Sequence, residues 1–215
     1  MPSLIHSRLR AGVLRIAAPT CVGVFASTGV ALASCPARSL STPFTQWGDN
    51  NSYFLVPGGS FEGTPDQVGW TLSGASLTPG NEPFYVDGSG DSQSLTISAG
   101  GSATSPFFCV DNTMSDLRFF AQEATAGSDL QVQALVQTDS GVQTVPVEDL
   151  ADGSMPSWAP TQPTGNSSGL PDGDTVQVAL EFSAPQSAGS WQIDTCTSTR
   201  IGPADRGQAG WRDES

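Results

Sequence analysis

Beyond its first 33 residues this chain contains no histidine and no lysine: the single His of 215 residues is His6, and all eight basic residues are Arg. A Ser–His–Asp or Cys–His system therefore lacks its base, a Schiff base lacks its amine, a phosphate loop lacks its Lys, and a His-ligated zinc or copper centre lacks its ligands. What survives is carboxylate chemistry, tyrosine chemistry, hard-cation binding through oxygen and aromatic stacking. Trp47, Tyr85 and Trp158 lie in or beside segments with no strand pattern. A loop aromatic can stack on the apolar face of a sugar ring while nearby Asn or Asp holds its hydroxyls, so these three are the predicted ligand-binding residues. Asp87-Gly88-Ser89-Gly90-Asp91 has acids at cation-loop spacing but lacks the remaining ligands of an EF-hand, and it reads as a hairpin turn. Asp172-Gly173-Asp174 reads the same way, and Asn166-Ser167-Ser168, although a glycosylation acceptor in form, reads as loop sequence. No catalytic motif is recognisable, although two carboxylates ~5–9 Å apart in space leave no signature in a sequence.

Where such residues would act is written at the N-terminus. Arg8, Arg10 and Arg15 precede an apolar run from Ile16 to Leu32, which leads into Ala31-Leu32-Ala33. A basic start, an apolar middle and a small-residue cleavage site predict a secretory signal over residues 1–33 and a secreted, extracellular or cell-surface protein. The run falls short of the ~20 apolar residues of a spanning helix and contains Pro19, so no transmembrane span is expected. Leu32-Ala33-Ser34-Cys35 also has the form of a lipobox, which leaves a lipid anchor at Cys35 open. All 21 Asp and Glu follow residue 33, where only Arg38, Arg118, Arg200, Arg206 and Arg212 oppose them. So acidic a surface repels phosphate, which excludes nucleic acid and anionic membranes and suits neutral glycans, cations or plain solubility.

The elements that must position these residues are strands. With 24 Gly and 16 Pro, turn signals punctuate the whole chain. Between them, Val176, Val178, Leu180 and Phe182 alternate with Gln177, Ala179 and Glu181, and Leu130, Val132, Ala134 and Val136 repeat the pattern. Leu117 and Phe119 flank Arg118; Leu95 and Ile97 alternate with Ser94, Thr96 and Ser98. Further strands are expected at 53–56, 70–73, 107–110, 142–147 and 191–195, and one helical turn at 148–151. The fold class predicted is all-β, a two-sheet antiparallel jelly-roll sandwich. The expected layout is signal 1–33, N-terminal arm 34–52, sandwich 53–199 with an irregular loop at 153–174, and a polar tail 200–215. Trp70 and Trp191, inside strand motifs, are expected in the core.

Two motifs bracket the sandwich: Gly58 to Trp70 (GGSFEGTPDQVGW) and Trp191 to Asp194 (WQID). This pairing resembles the galactose-binding-like jelly rolls, which include many carbohydrate-binding modules of secreted glycosidases. Gly80-Asn81-Glu82-Pro83-Phe84, with Ser94-Leu95 and Arg118-Phe119-Phe120-Ala121, further resembles a group of uncharacterised secreted actinobacterial proteins of this fold. The resemblance implies a structural calcium where the first and last strands meet, with Glu62 and Asp194 as metal ligands. The chain departs from the family's last-strand motif at Thr195 and Cys196, where a second Asp and a Val are usual. The readings without metal are a turn-capping hydrogen bond for Glu62 and a strand-end polar group for Asp194. Because Cys196 stands at an apolar position, the expected disulfide is Cys35–Cys109; Cys109–Cys196 is the alternative if Cys35 carries lipid. The functional expectation is a secreted non-catalytic module binding neutral carbohydrate. The rivals are a cell-surface structural or interaction domain without a sugar site and a carboxylate-dependent glycosidase or lyase.

Overall fold

The computed structural model describes residues 35–114, 116–165 and 174–199. The signal segment, the Asn166 acceptor and the polar tail lie outside them. Among the described residues there are ten strands: β1 (Tyr53–Leu55), β2 (Thr71–Pro79), β3 (Gln93–Thr104), β4 (Phe108–Asp111), β5 (Leu117–Thr125), β6 (Leu130–Thr138), β7 (Gly141–Leu150), β8 (Ala159–Pro160), β9 (Thr175–Ser183) and β10 (Ser190–Thr199). All pairings are antiparallel, in the order β7-β6-β9-β3-β10-β5-β8, with β1 on β10, β2 on β3 and β4 on β9. This is the expected all-β sandwich.

β3 is the strand that turns one sheet into the other. Its first half, Leu95 to Ser98, pairs with β10, and its last residues, Ser102 to Thr104, pair with β9. The corner falls at Gly100 and Gly101, opposite Gly74 on β2. A Cβ on Gly101 would stand 2.4 Å from the Gly74 carbonyl oxygen, and Gly74 and Gly100 have φ of +63° and +71°. Only glycine lets two strands bend across each other this closely.

The core between the layers holds Phe54, Phe61, Trp70, Phe119, Phe182 and Trp191 among others. The two indoles expected there satisfy their N–H groups on backbone carbonyls, Trp70 Nε1 on Pro57 (2.9 Å) and Trp191 Nε1 on Ser128 (2.8 Å). On β10 a bulge sets Thr195 and Cys196 between the pairs Asp194–Phe120 and Thr197–Arg118. Thr195 takes φ +45°, and Cys196 is fully buried in the core as the one free cysteine among the described residues. Burial pushes its thiol well above the usual range, which leaves it inert.

One sequence expectation changes. Glu148–Leu150 are strand, not a helical turn, because Leu150 pairs with Leu130 and completes the β6–β7 hairpin. Helix occurs instead as a 3-10 turn at Thr45–Trp47 and as one α-helical turn, α1 (Pro65–Val68), whose capping box is written in Thr64-Pro65-Asp66-Gln67: the Thr64 N–H donates to Gln67 Oε1 at 2.8 Å. No helix among the described residues is long and apolar enough to cross a membrane.

The N-terminal arm is built into the sandwich. Ser41 bridges Tyr53, Phe44 is fully buried, and Cys35 is disulfide-bonded to Cys109 on β4, as expected. A sulfur in that bridge cannot also carry a lipid thioether, so the two uses of Cys35 exclude each other.

Candidate functional site

On β5 and β10 the alternation of side chains separates two faces. Phe119, Ala121, Trp191 and Ile193 enter the core; Arg118, Phe120, Gln122, Gln192 and Asp194 point the other way. The register pairs Phe120 with Asp194, and Gln122 with Gln192. Two rows of side chains therefore cross this outer face.

The first row is polar and uncharged. Gln122 Nε2 donates to Gln192 Oε1, Gln192 Nε2 donates to Thr96 Oγ1 (3.4 Å), and the Thr96 and Thr78 hydroxyls meet at 2.7 Å. All four side chains are half-buried. The strip thus spans β5, β10, β3 and β2, about 14 Å at ~4.8 Å per strand step.

The second row is covered by aromatic residues. Phe44, Tyr53 and Phe120 form a fully buried cluster, and Trp47, Val86 and Trp158 pack against it. The Trp47 ring sits edge-on to Phe84 and Phe120, with centroids 4.9 and 5.3 Å apart. Phe84 and Tyr85 stay 40% and 51% exposed. The fold thus gathers the three predicted aromatics, from widely separated sequence, around one cluster and its adjoining loop. Tyr85 offers the open ring, while Trp47 and Trp158 are half-buried supports. The sequence does not single out Phe84, Gln122, Gln192, Thr96 or Thr78. For Gln122 and Gln192 the one sequence signal is parity: Phe120-x-Gln122 and Gln192-x-Asp194 each place an outward pair on a strand whose other side is apolar.

Carboxylates gather beside the aromatic cover. Glu62 accepts hydrogen bonds from Ser92 N (2.6 Å), Ser92 Oγ (3.0 Å) and Gln93 N (2.7 Å), so it caps the entry to β3. Asp194, 2% exposed, accepts from Glu82 N (3.0 Å) and Thr195 N (2.8 Å). Burial pushes Asp194 up to about 8, with the charges of Glu82 and Asp91 adding and the two backbone N–H groups opposing. Burial, then Asp91 and Glu82, raise Asp87 to about 6. Carried one residue beyond the Ile193–Leu95 pair, the register sets Ser94 beside Asp194; Ser94 is fully buried and its Oγ has no hydrogen-bond partner. Among the described residues no three His, Cys, Asp or Glu stand close enough to cage a metal.

At a different place, β4, β6, β7 and β9 line an apolar hollow of about 440 Å³ with Val110, Val136, Val145, Val147 and Val176. It shares no residue with the strip or its aromatic cover.

No protein-family model matches the sequence, and no curated protein matches it. Solved structures do. The CBM22-1 xylan-binding domain from Paenibacillus barcinonensis is 17% identical, with a TM-score of 0.45 over 66% of this chain and 91% of that one. The CBM22-1 and GH10 modules of a Clostridium thermocellum endo-1,4-beta-D-xylanase, complexed with xylohexaose, match at 16% identity and a TM-score of 0.47 over 66% of this chain and 28% of that one. A family 16 carbohydrate-binding module matches at 20% identity and a TM-score of 0.41, over 68% and 99%. The similarity is one of strand arrangement, and no side chain described above is carried over from these proteins.

Proposed function

We propose that this chain is an exported, non-catalytic module that binds a neutral glycan on the outer face of β2, β3, β10 and β5. The observation that supports this most is the juxtaposition of an uncharged amide and hydroxyl strip with an aromatic lip. Half-buried Gln and Thr side chains can exchange hydrogen bonds with sugar hydroxyls at no cost in charge desolvation. Tyr85 and Phe84 offer apolar faces for C–H surfaces of the sugar. A strip four strands long suits an oligosaccharide better than a single ring, and the surrounding acids disfavour sulfated or uronic glycans.

Titration calorimetry against neutral hexaoses, xylohexaose and cellohexaose among them, is expected to give Kd on the order of 10 μM to 1 mM. Tyr85→Ala is expected to cost ~1–3 kcal/mol, about 5- to 150-fold in Kd, by analogy with other aromatic stacking. Gln192→Ala should weaken binding as well, whereas Val142→Ala on exposed β7 should not. Binding to no neutral glycan, or binding indifferent to both Tyr85 and Gln192, would favour an interaction domain without a sugar site, the reading to which the apolar hollow points.

We also propose that calcium relieves the carboxylate crowd beside the lip with Glu62 and Asp194 among its ligands; since no three acids form a ready cage among the described residues, both carboxylates would have to give up hydrogen bonds from N–H groups to the cation. The orphaned Ser94 hydroxyl and the mutual repulsion of the acids support this. A hard cation there would supply charge neutralisation and nothing further. The folded-state value of Asp194 lies above its ordinary one, so the folded protein holds a proton that the unfolded chain releases. Stability is therefore expected to fall as pH rises from about 4 to 8, by up to ~1.4 kcal/mol per pH unit for this group. Melting curves across that range should slope less in Asp194→Asn than in wild type. Millimolar calcium should raise the wild-type Tm at pH 8; an unchanged Tm would leave Glu62 as a turn cap only.

A further inference from the structure

We propose that Glu82 is the positioning residue of the aromatic lip, holding Phe84 and Tyr85 in their ligand-facing stance without itself touching the glycan. The inference rests on the sugar-site reading for its consequence, but its geometry stands apart. The lip is the connection between β2, which ends at Pro79, and β3, which begins at Gln93. It is too long for a tight turn, and an exposed loop of this kind would lose conformational freedom on binding. Glu82 removes that loss beforehand. Its carboxylate is fully buried and accepts three successive backbone N–H groups, from Phe84, Tyr85 (2.9 Å) and Val86 (2.7 Å).

Those bonds shape the chain directly. Three consecutive N–H groups can point at one carboxylate only if the backbone curls around it, and Tyr85 accordingly adopts a left-handed φ of +52°. A tyrosine rarely takes this conformation unless its surroundings impose it. Glu82 is in turn fixed from below by its own N–H on Asp194 Oδ2 and from the side by Asn81 Nδ2 on its carbonyl. The curl delivers Val86 to the Phe44–Phe120 cluster and Phe84 to Trp47, and leaves the Tyr85 ring outward. Glu62 closes the base of the same loop through Ser92 and Gln93. Two carboxylates thus clamp it at crown and base.

The test is amide hydrogen exchange by NMR on the free full-length protein, wild type against Glu82→Gln, which keeps one acceptor oxygen and replaces the other with an NH2 that only donates. Protection at Phe84, Tyr85 and Val86 is expected to fall at least ~10-fold, while Leu95, Phe119 and Ile193 keep theirs within ~3-fold. Glu82→Asp, shorter by one methylene, serves if the Gln variant loses protection throughout; the same local loss is expected. Retained protection at all three lip amides in either folded variant overturns the proposal. In xylohexaose titrations, Glu82→Gln should weaken binding ~10-fold in the wild-type background and add nothing in a Phe84→Ala/Tyr85→Ala background. An equal cost in both backgrounds assigns Glu82 a merely structural role and overturns the proposal. Absence of any glycan binding by wild type instead overturns the sugar-site reading, and leaves the exchange result to judge Glu82 alone.

Discussion

Asp49→Ala is expected to destabilise the protein by about 3–5 kcal/mol, because it strands a buried guanidinium. Arg118 and Asp49 meet at 2.6 Å with side chains only 4% and 11% exposed. The Arg118 guanidinium lies over the Phe44 ring at 4.3 Å, and its Nε donates to the Thr161 carbonyl at 2.7 Å. Asp49 also accepts from the Tyr53 hydroxyl (2.5 Å) and from Asn51 N (3.0 Å). One carboxylate thus ties the arm, β1 and β5 together beneath the aromatic lip. Chemical denaturation should show a lower midpoint for Asp49→Ala, and Asp49→Leu/Arg118→Met should recover much of the loss, since no charge is then left unpaired. A single-variant loss under ~1 kcal/mol would mean that solvent screens the pair. Burial by itself pushes the Asp49 carboxyl up, but its hydrogen bonds from Tyr53, Asn51 and Arg118, with the guanidinium charge, hold it below its usual value. This stabilisation is therefore full above about pH 4 and is lost as pH falls further.

Removing the Cys35–Cys109 disulfide should have a comparable effect. The bridged residues are 74 apart in sequence, and closing so long a loop in the unfolded chain corresponds to about 4 kcal/mol. Cys35→Ala/Cys109→Ala is therefore expected to melt roughly 10 °C lower than wild type. Arg38 marks where the loss should be felt first. Its guanidinium stacks on Phe54 at 4.2 Å and donates to the Cys109 carbonyl at 2.9 Å, so the bridge and this cation dock the arm as one unit. Peptide mapping of exported protein checks the premise: Cys35 should be found joined to Cys109 and Cys196 unmodified by alkylating reagents before unfolding. Cys35 recovered as a lipidated N-terminus would refute the bridge and select the anchor.

Fold class, most of the strands and the identity of the core indoles can be read from the order of residues alone. These follow from period-two alternation and turn residues, which are local properties of the backbone. The buried free cysteine was implied by the resemblance, in which an apolar residue is usual at Cys196; strict alternation from Trp191 and Ile193 would turn it outward, and the bulge at Thr195–Cys196 brings it into the core. The chemistry that is absent was equally legible, since missing His and Lys need no structure to be noticed.

Which residues meet is a matter of the folded arrangement. Trp47, Tyr85 and Trp158 stand out in the sequence as loop aromatics, but their shared location comes from β5 and the arm packing on one face. Gln122, Gln192, Thr96 and Thr78 look like ordinary outward strand residues until the antiparallel register lines them up. Nothing in the local sequence marks Glu82 for the interior, yet it is fully buried because three backbone N–H groups replace its water. Helical turn or strand at Glu148–Leu150 was settled by a partner, β6, that local propensity cannot see. Pattern within a strand is set by the pleat and is written in order along the chain; partnership across strands is set by topology, which joins residues as far apart as Glu82 and Asp194, and no local pattern records it.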